Sequence, residues 1–369
     1  MMAETKRGDA KQAMPYRRIL IIKPSSLGDI VHGLPVLAAL RKAWPQAHIA
    51  WLAGDGFAAL LRGHPLIDEV ISFDRRRYGH VLQSPRILAD LVRFVAGLRR
   101  RRFDLVIDLQ GLIRSALLGW ASGAAERVGF AAARELAPLF YTRRVRCPAD
   151  VVHAVEENMQ IAAALGVREV LPEFPLYVPP RVVEAARELL AATAGRELRE
   201  FVAVLPGARW PSKLWRAAHF AELIERMAAD GSPTCVLLGA TSETSIGRHI
   251  VGACEAEVVN LIGRTSLLQL VALLDLSQFV ICLDSGPMHI AAGLNKPLVA
   301  LFGPTSSQHT GPYSRHARVV SMRLPCAPCY RVTCPLGHHA CLEALAPERV
   351  LFHVRELLAA GTPTATTGC

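Results

Sequence analysis

The chain has 369 residues, of which 51% are hydrophobic and 20% charged, with nine cysteines and a net charge of +10. That length and apolar content suits two globular cores and excludes a disordered or collagen-like chain. No run approaches the ~18 apolar residues of a membrane-spanning helix, and an odd set of partly scattered cysteines does not read as a disulfide framework.

Residues 1–17 are polar and basic and read as a disordered tail. The apolar run behind them, "ILII", is too short for a signal-peptide core, so a cytoplasmic protein is expected. Charge is uneven. Residues 1–180 hold 25 Lys+Arg against 17 Asp+Glu, leaving +8 of the +10 in the first half. A basic half calls for an acidic partner, either an anionic lipid surface or a phosphorylated substrate, or else it is a solvated arginine-rich face.

The elements alternate. "RRILIIK" reads as a buried strand and "LPVLAALRKAW" as a helix with Pro35 in its first turn. "HIAWLAG", "IDEVISFD", "FDLVIDLQG" and "RVGF" read as further strands. "GFAALLRGH", "SPRILADLVRFVAGLRRRR" and "DVVHAVEENMQIAAALG" read as helices, the last capped by Gly166. The proline-rich "LPEFPLYVPP" reads as a linker that leads into the helix "RVVEAARELLAATAG". Then the pattern restarts, with strands "FVAVL", "PTCVLLG", "EVVNLIG", "QFVICL" and "KPLVALFG" and helices between them. The final helix, "APERVLFHVRELLAAG", suits either half.

Strands that alternate with helices make parallel sheets covered on both faces. The expected fold class is therefore α/β: two doubly wound, Rossmann-like domains facing across a cleft. The expected division is a tail at 1–17, a first domain at 18–175 and a linker with connecting helix at 176–199. A second domain follows at 200–345, then a helix and tail at 346–369.

In such domains the ligand lies beyond the carboxyl ends of the strands, which directs attention to the strand-end loops. In "KPSSLGDIVHG", Ser25, Ser26, Gly28 and Asp29 follow the first strand. Taken alone they read first as a helix cap, with chemistry as the alternative. In "DSGPMHIAAGL", Asp284, Ser285, Gly286 and Pro287 open a helix whose free N–H groups suit a diphosphate, with His289 in the first turn. In "LPGARWPSKLW", Arg209 and Lys213 are two cations on one strand-end loop, suited to phosphate oxygens. Glu243 in "LLGATSE" suits a ribose diol, and Gly303 gives a tight turn in "LFGPT". Neither the phosphate-loop nor the dinucleotide glycine fingerprint is present, which argues against an ordinary kinase, ATPase or dehydrogenase. The residues themselves thus point to a second half that binds a nucleotide diphosphate.

Together, "KPSSLGDIVHGLPVL", "DLQGLIRSALL", "HAVEENMQIAAALG", "LPGARWPSKLW" and "DSGPMHIAAGLNKPLVALFGPT" resemble glycosyltransferase family 9, the ADP-heptose:lipopolysaccharide heptosyltransferases. The first two blocks resemble the type I enzymes more than type II. The resemblance implies a GT-B fold and an inverting transfer from ADP-heptose to the Kdo of the lipopolysaccharide inner core. It places the general base at Asp29, beside Gly28, and donor contacts at Lys213, Glu243 and the Asp284–His289 loop. It gives Ser25 and Ser26 a role in positioning the acceptor. No cofactor is expected for the transfer. The partners it implies are a nucleotide-diphosphate sugar and an anionic lipid A–Kdo acceptor, met by Arg62, Arg114, Arg127 and Arg134, with the enzyme peripheral at the inner membrane. No nucleic acid is expected. Where the family's lysine loop often offers hydroxyls, this chain has Ala208 and Arg209. Arg209 either replaces them toward phosphate or marks another donor.

The alternatives are a family 9 enzyme with another sugar or acceptor, a nucleotide-sugar 2-epimerase, and a non-catalytic binder. The epimerase needs further acid/base carboxylates near the sugar, and only Asp29 and Asp108 offer themselves. Separately, "CAPCYRVTCPLGHHAC" sets Cys326, Cys329, Cys334 and Cys341 within 16 residues. These either hold a structural zinc or stand as reduced thiols in an ordered loop.

Overall fold

The computed structural model describes residues 16–167 and 171–359. Nearly all of the expected basic tail, and the end of the last helix, lie outside the described residues.

The first half forms one sheet from β1 (Arg18–Ile22), β2 (His48–Gly54), β3 (Glu69–Phe73), β4 (Leu105–Asp108), β5 (Glu126–Phe130) and β6 (Arg143–Val145). Their order is β3-β2-β1-β4-β5-β6, with every pair parallel. The central strands are continuous apolar runs because helices cover both faces. The helices are α1 (Leu27–Ala43), α2 (Asp55–Leu61), the short α3 (Arg75–Tyr78), α4 (Pro85–Arg100), α5 (Ile113–Ala121) and α6 (Ala154–Ala164). Register aligns Ile22 with Asp108, so the loops after β1 and β4 lie side by side where the strand order reverses.

The second half begins with α7 (Pro180–Ala194), which packs on the later helix α10 (Leu267–Leu276). Between them come β7 (Val202–Leu205), α8 (Ala217–Ala229), β8 (Cys235–Leu237), α9 (Thr244–Ala253) and β9 (Val258–Asn260). After α10 follow β10 (Phe279–Leu283), α11 (Gly286–Gly293), β11 (Leu298–Phe302), α12 (Ser307–Thr310) and β12 (Ala317–Ser321). The short α13 (Ala340–Glu343) and α14 (Pro347–Ala359) close the chain, and α14 packs on α8, β11 and β12 of this half. The sheet order is β12-β11-β10-β7-β8-β9, again all parallel. Its reversal lies between β7 and β10, which aims the 205–213 and 284–289 loops at the first half.

Three local readings need correction. The first long helix starts at Leu27, not Leu34, because Ser26 caps it and the Asp29 carboxylate returns to the Ser26 N–H. Pro35 therefore sits inside the helix rather than in its first turn. Helices α5 and α9 and edge strands β6 and β12 had no assigned element, since short segments carry little periodic signal.

The halves meet where α1 packs against α11 and α2 against α10, and one apolar core runs through the junction. Two glycines permit this approach. A Cβ on Gly28 would lie 2.3 Å from His289 Cδ2, and one on Gly286 would lie 2.8 Å from Leu27 Cβ. The N-termini of α1 and α11 thus abut across the cleft.

Candidate active site

The cleft between the sheets has a volume of about 1020 Å³. From the first half, Ser26, Gly28, Asp29 and His32 line it. From the second, Arg209, Lys213, Glu243, Asp284, Ser285, Gly286, Pro287 and His289 line it. Sequence separations of more than 170 residues thus converge on one cavity.

Asp29 occupies the third position of α1. Its Oδ2 accepts from the Ser26 N–H and the Ser26 hydroxyl, each at 2.8 Å. The cap reading of this loop is therefore correct, and the same carboxylate faces the cleft. Burial pushes its pKa up, but Lys23 and the two Ser26 hydrogen bonds outweigh this and hold it below the ordinary value. Lys23 is buried at the end of β1 and donates to the Leu109 carbonyl at 2.7 Å; burial lowers its pKa. No role was assigned to Lys23 from sequence. A lysine that closes an otherwise apolar buried strand is the signal that marks it.

Across the cleft, Lys213 Nζ pairs with Asp284 Oδ2 at 2.6 Å, and the Thr305 hydroxyl donates to the same oxygen at 2.5 Å. Lys213 Nζ also stands 4.7 Å from the centroid of the Trp210 ring, a cation–π contact. Asp284 thus holds the lysine head. Trp210 flanks the lysine head and Thr305 steadies the Asp284 carboxylate; neither had an assigned role. The Ser285 hydroxyl at the N-cap of α11 is buried, and among the described residues it has no hydrogen-bond partner. Glu243 accepts from the Ala240 N–H at 2.8 Å and lies against Gly207 and Gly239, where a Cβ would fall within 2.4 Å of its carboxylate. Burial raises its pKa.

His289 Nδ1 lies 2.9 Å from His32 Nε2, an imidazole pair that bridges the two halves. Burial lowers the His289 pKa to about 4, and burial with the neighbouring histidines pushes His32 well below its usual value. Both rings are therefore neutral near pH 7. His32 Nδ1 is buried without a partner among the described residues, and Asn158 Nδ2 donates to the His32 carbonyl at 3.0 Å.

Other expected residues lie elsewhere. Ser25 is beside the cleft, its N–H 3.4 Å from Gln110 Oε1. Gly303 is outside the lining and packs under Leu342 and Cys341. Arg62, Arg114, Arg127 and Arg134 do not line the cleft. Arg62 donates to the Ser72 hydroxyl, and Arg127 is tied to the carbonyls of Phe140 and Ala124. Asp108 is buried beneath the loops, accepting from Gln110 and Gly111 N–H and from the Ser115 and Tyr141 hydroxyls. It braces the β4–α5 turn and does not reach the cleft.

Cys326, Cys329, Cys334 and Cys341 gather around a pocket of about 20 Å³. Among the described residues, however, no three His, Cys, Asp or Glu side chains are grouped so as to hold a metal ion. Of the two readings of this cluster, the zinc set is not assembled among the described residues. The backbone N–H groups of His339 and residues 336–338 engage the Cys334 sulfur, and Cys341 packs against Gly303. The segment instead buttresses the lysine loop. His339 Nε2 meets the Ser212 carbonyl at 2.6 Å, and the Ser212 hydroxyl donates to the Arg331 carbonyl at 2.6 Å.

Two facing Rossmann-like domains, with cations and a helix start on one wall and the Asp29 carboxylate on the other, have the architecture of a two-domain glycosyltransferase. The glycosyltransferase family 9 (heptosyltransferase) model matches residues 91–340. Lipopolysaccharide heptosyltransferase 1 of Pseudomonas aeruginosa is 32% identical over 93% of this chain and 98% of its own length. Lipopolysaccharide heptosyltransferase 2 of Salmonella typhimurium is 29% identical over 92% and 98%. An Escherichia coli heptosyltransferase solved with ADP superposes with a TM-score of 0.75 at 28% identity, covering 92% of this chain and 99% of that one. This chain belongs to glycosyltransferase family 9, and it is an enzyme of the glycosyltransferase class. A UDP-GlcNAc 2-epimerase from Methanocaldococcus jannaschii shares the fold alone, at 11% identity and a TM-score of 0.51.

Proposed function

We propose that this glycosyltransferase moves L-glycero-D-manno-heptose from ADP-heptose to the Kdo of the lipopolysaccharide inner core, with inversion at the anomeric carbon. One observation carries the reading: Asp29 faces, in a single cleft, the wall that bears Lys213, Arg209 and the start of α11. A lone carboxylate opposite a cationic wall suits a single displacement. Asp29 takes the proton of the acceptor hydroxyl as that oxygen attacks the anomeric carbon from the face opposite the diphosphate. The bond to the diphosphate oxygen breaks, and ADP leaves with its charge. Lys213, Arg209, Ser285 and the positive end of the α11 dipole stabilise that charge as it grows. Glu243 accepts from the ribose hydroxyls, and His289 lies beside the reacting sugar.

The donor is supported by related Escherichia coli structures solved with ADP and with ADP-2-deoxy-2-fluoro heptose. The lipid acceptor is supported by the names of the lipopolysaccharide relatives and by the basic first half. It implies an enzyme at the cytoplasmic face of the inner membrane. Ser26 and Gly28 line the acceptor side with Ser25 beside them, and Arg62, Arg114, Arg127 and Arg134 contribute positive charge around it.

The test is transfer by purified protein from ADP-heptose to Kdo2-lipid A, with other nucleotide sugars and with a heptosylated acceptor run alongside. Heptose on Kdo with an inverted anomeric centre supports the reading. Transfer only from another sugar, or only onto the heptosylated acceptor, replaces it with a different family 9 specificity. The second outcome is a real competitor, because relatives of both heptosyltransferase types match over similar lengths.

A further inference from the structure

Helix α5 turns Arg114, Leu117 and Trp120 outward at three-residue spacing, so they share one face. Beside them runs the segment after β5. Leu136 is 67% exposed, Leu139 66% and Trp120 57%, values unusual for side chains of this size. The segment packs on α5, and the Trp120 and Phe140 ring centroids stand 6.4 Å apart, so the apolar groups form one patch. Its backbone is held in an unfavourable shape that presents Leu136. Glu135 and Leu136 both lie in the left-handed region, with φ of 57° and 63°, and bonds from Arg134 N–H to the Gly111 carbonyl and from Ala137 N–H to the Arg134 carbonyl fix them there.

The rim is basic. Arg134 and Arg144 are exposed on the same segment and Arg114 on α5. Arg143 beside them is paired with Glu126, whereas Arg114, Arg134 and Arg144 enter no ion pair among the described residues. Glu135 is the single acidic side chain in the patch. Large apolar groups ringed by unpaired arginines complement a lipid interface that is apolar below and anionic at its surface. The Arg134 end of the patch lies at the carboxyl edge of the first sheet, against the β4–α5 turn. A short chain of contacts links it to Asp29: Arg134 bonds Gly111, the adjoining Gln110 meets Ser25, and Ser26 bonds Asp29.

We propose that Leu117, Trp120, Leu136 and Leu139, rimmed by Arg114, Arg134 and Arg144, form the face by which this enzyme sits on an anionic bilayer. The proposal deepens the reading of a lipid-anchored acceptor and rests on it. The face would set the mouth of the cleft at the surface from which such an acceptor projects.

The experiment is co-sedimentation of the full chain with phosphatidylcholine vesicles and with vesicles containing phosphatidylglycerol. Wild type is expected to pellet with the anionic vesicles and not with the neutral ones. The triple variant W120S/L136S/L139S, and the single exposed-site variant Leu136→Glu, are expected to bind the anionic vesicles at least about tenfold more weakly. Both should keep wild-type circular dichroism and wild-type transfer to a deacylated, water-soluble acceptor. Equal binding of wild type and variants overturns the proposal, as does equal binding of wild type to both vesicle types. A wild-type dimer that Leu136→Glu dissociates also overturns it, because the face would then be a self-interface. Vesicle binding is read without donor or acceptor. Failed heptosyl transfer with intact vesicle binding therefore strikes the proposed reaction, and the reverse result strikes this face.

Discussion

His32 Nε2 and His289 Nδ1 meet at 2.9 Å, and that contact ties α1, which carries Asp29, to α11 on the opposite wall of the cleft. The rings belong to different domains and are both buried. One ring nitrogen donates and the other accepts, so the bond requires at least one neutral ring, and burial keeps both neutral. The pair positions the first turn of α11 against the first turn of α1.

We predict that the protein loses stability as pH falls from 6.5 toward 4. The unfolded state takes up the His289 proton near the ordinary value of 6.5, whereas the folded state resists until about 4. Between these values the unfolded state binds more protons, so its stability relative to the folded form grows as pH drops. Above 6.5 neither state is protonated at this site and the effect vanishes. Urea midpoints across this range should fall in wild type and fall less in His289→Gln. An equal fall in both would show that other groups carry the pH dependence.

Asp29→Asn is expected to lower kcat by about 10²- to 10⁴-fold, the usual contribution of a general base, while ADP-heptose affinity changes little. Calorimetric titration of the donor beside steady-state transfer separates the two. A variant that loses donor affinity in proportion would place Asp29 among the binding groups instead. Because Asn keeps an oxygen for the Ser26 N–H, the start of α1 should survive the change.

Lys23→Met removes the cation that holds the Asp29 pKa down. The carboxylate then stays protonated to higher pH, so the acidic limb of the kcat/KM profile should move upward. The pH–rate profile checks this, and an unmoved limb would mean that another group governs it.

Gly28→Ala puts a Cβ 2.3 Å from His289 Cδ2, in a junction where both rings are confined. Overpacking of this kind costs about 1–3 kcal/mol. Thermal or denaturant unfolding should report the loss. Glycine is required here for close approach across the domains and not for a turn, since Gly28 lies within α1.

Lys213→Met should reduce kcat/KM by about 10²-fold or more. It removes a cation from the growing diphosphate charge and leaves Asp284, which is almost fully buried, without its partner. Asp284→Asn in the Lys213→Met background relieves the unpaired charge. Recovery of stability but not of activity in the double variant would separate the two roles.

The local pattern of this chain determined its architecture. Continuous apolar runs such as "LVALF" and "FVICL", short, rich in β-branched and aromatic residues and bounded by turn residues, suit strands covered on both faces, and their alternation with amphipathic helices leads to two parallel sheets. The strand-end loops carried their small and charged residues in plain view, so the loops of Asp29, Lys213, Glu243 and the 284–289 turn could be singled out from the sequence, while the role of Asp29 came from the family resemblance. What spacing could not supply were contacts between residues far apart in the chain. The serine loop could be a cap or a catalytic loop, and only the fold showed that Asp29 both closes the cap and faces the cleft. The His32–His289 pair spans 257 positions, and Gly28 matters because of a ring from the other domain. Arg127 and Asp108 had the right composition for a site, yet packing turned both toward nearby groups of their own domain. The four cysteines have a metal-like spacing, but spacing fixes no distances between sulfur atoms, and in the fold they serve a segment that props the Lys213 loop. Sequence periodicity records which face of an element is buried. Which element lies against it depends on how the two sheets close on each other, and that depends on the tertiary structure alone.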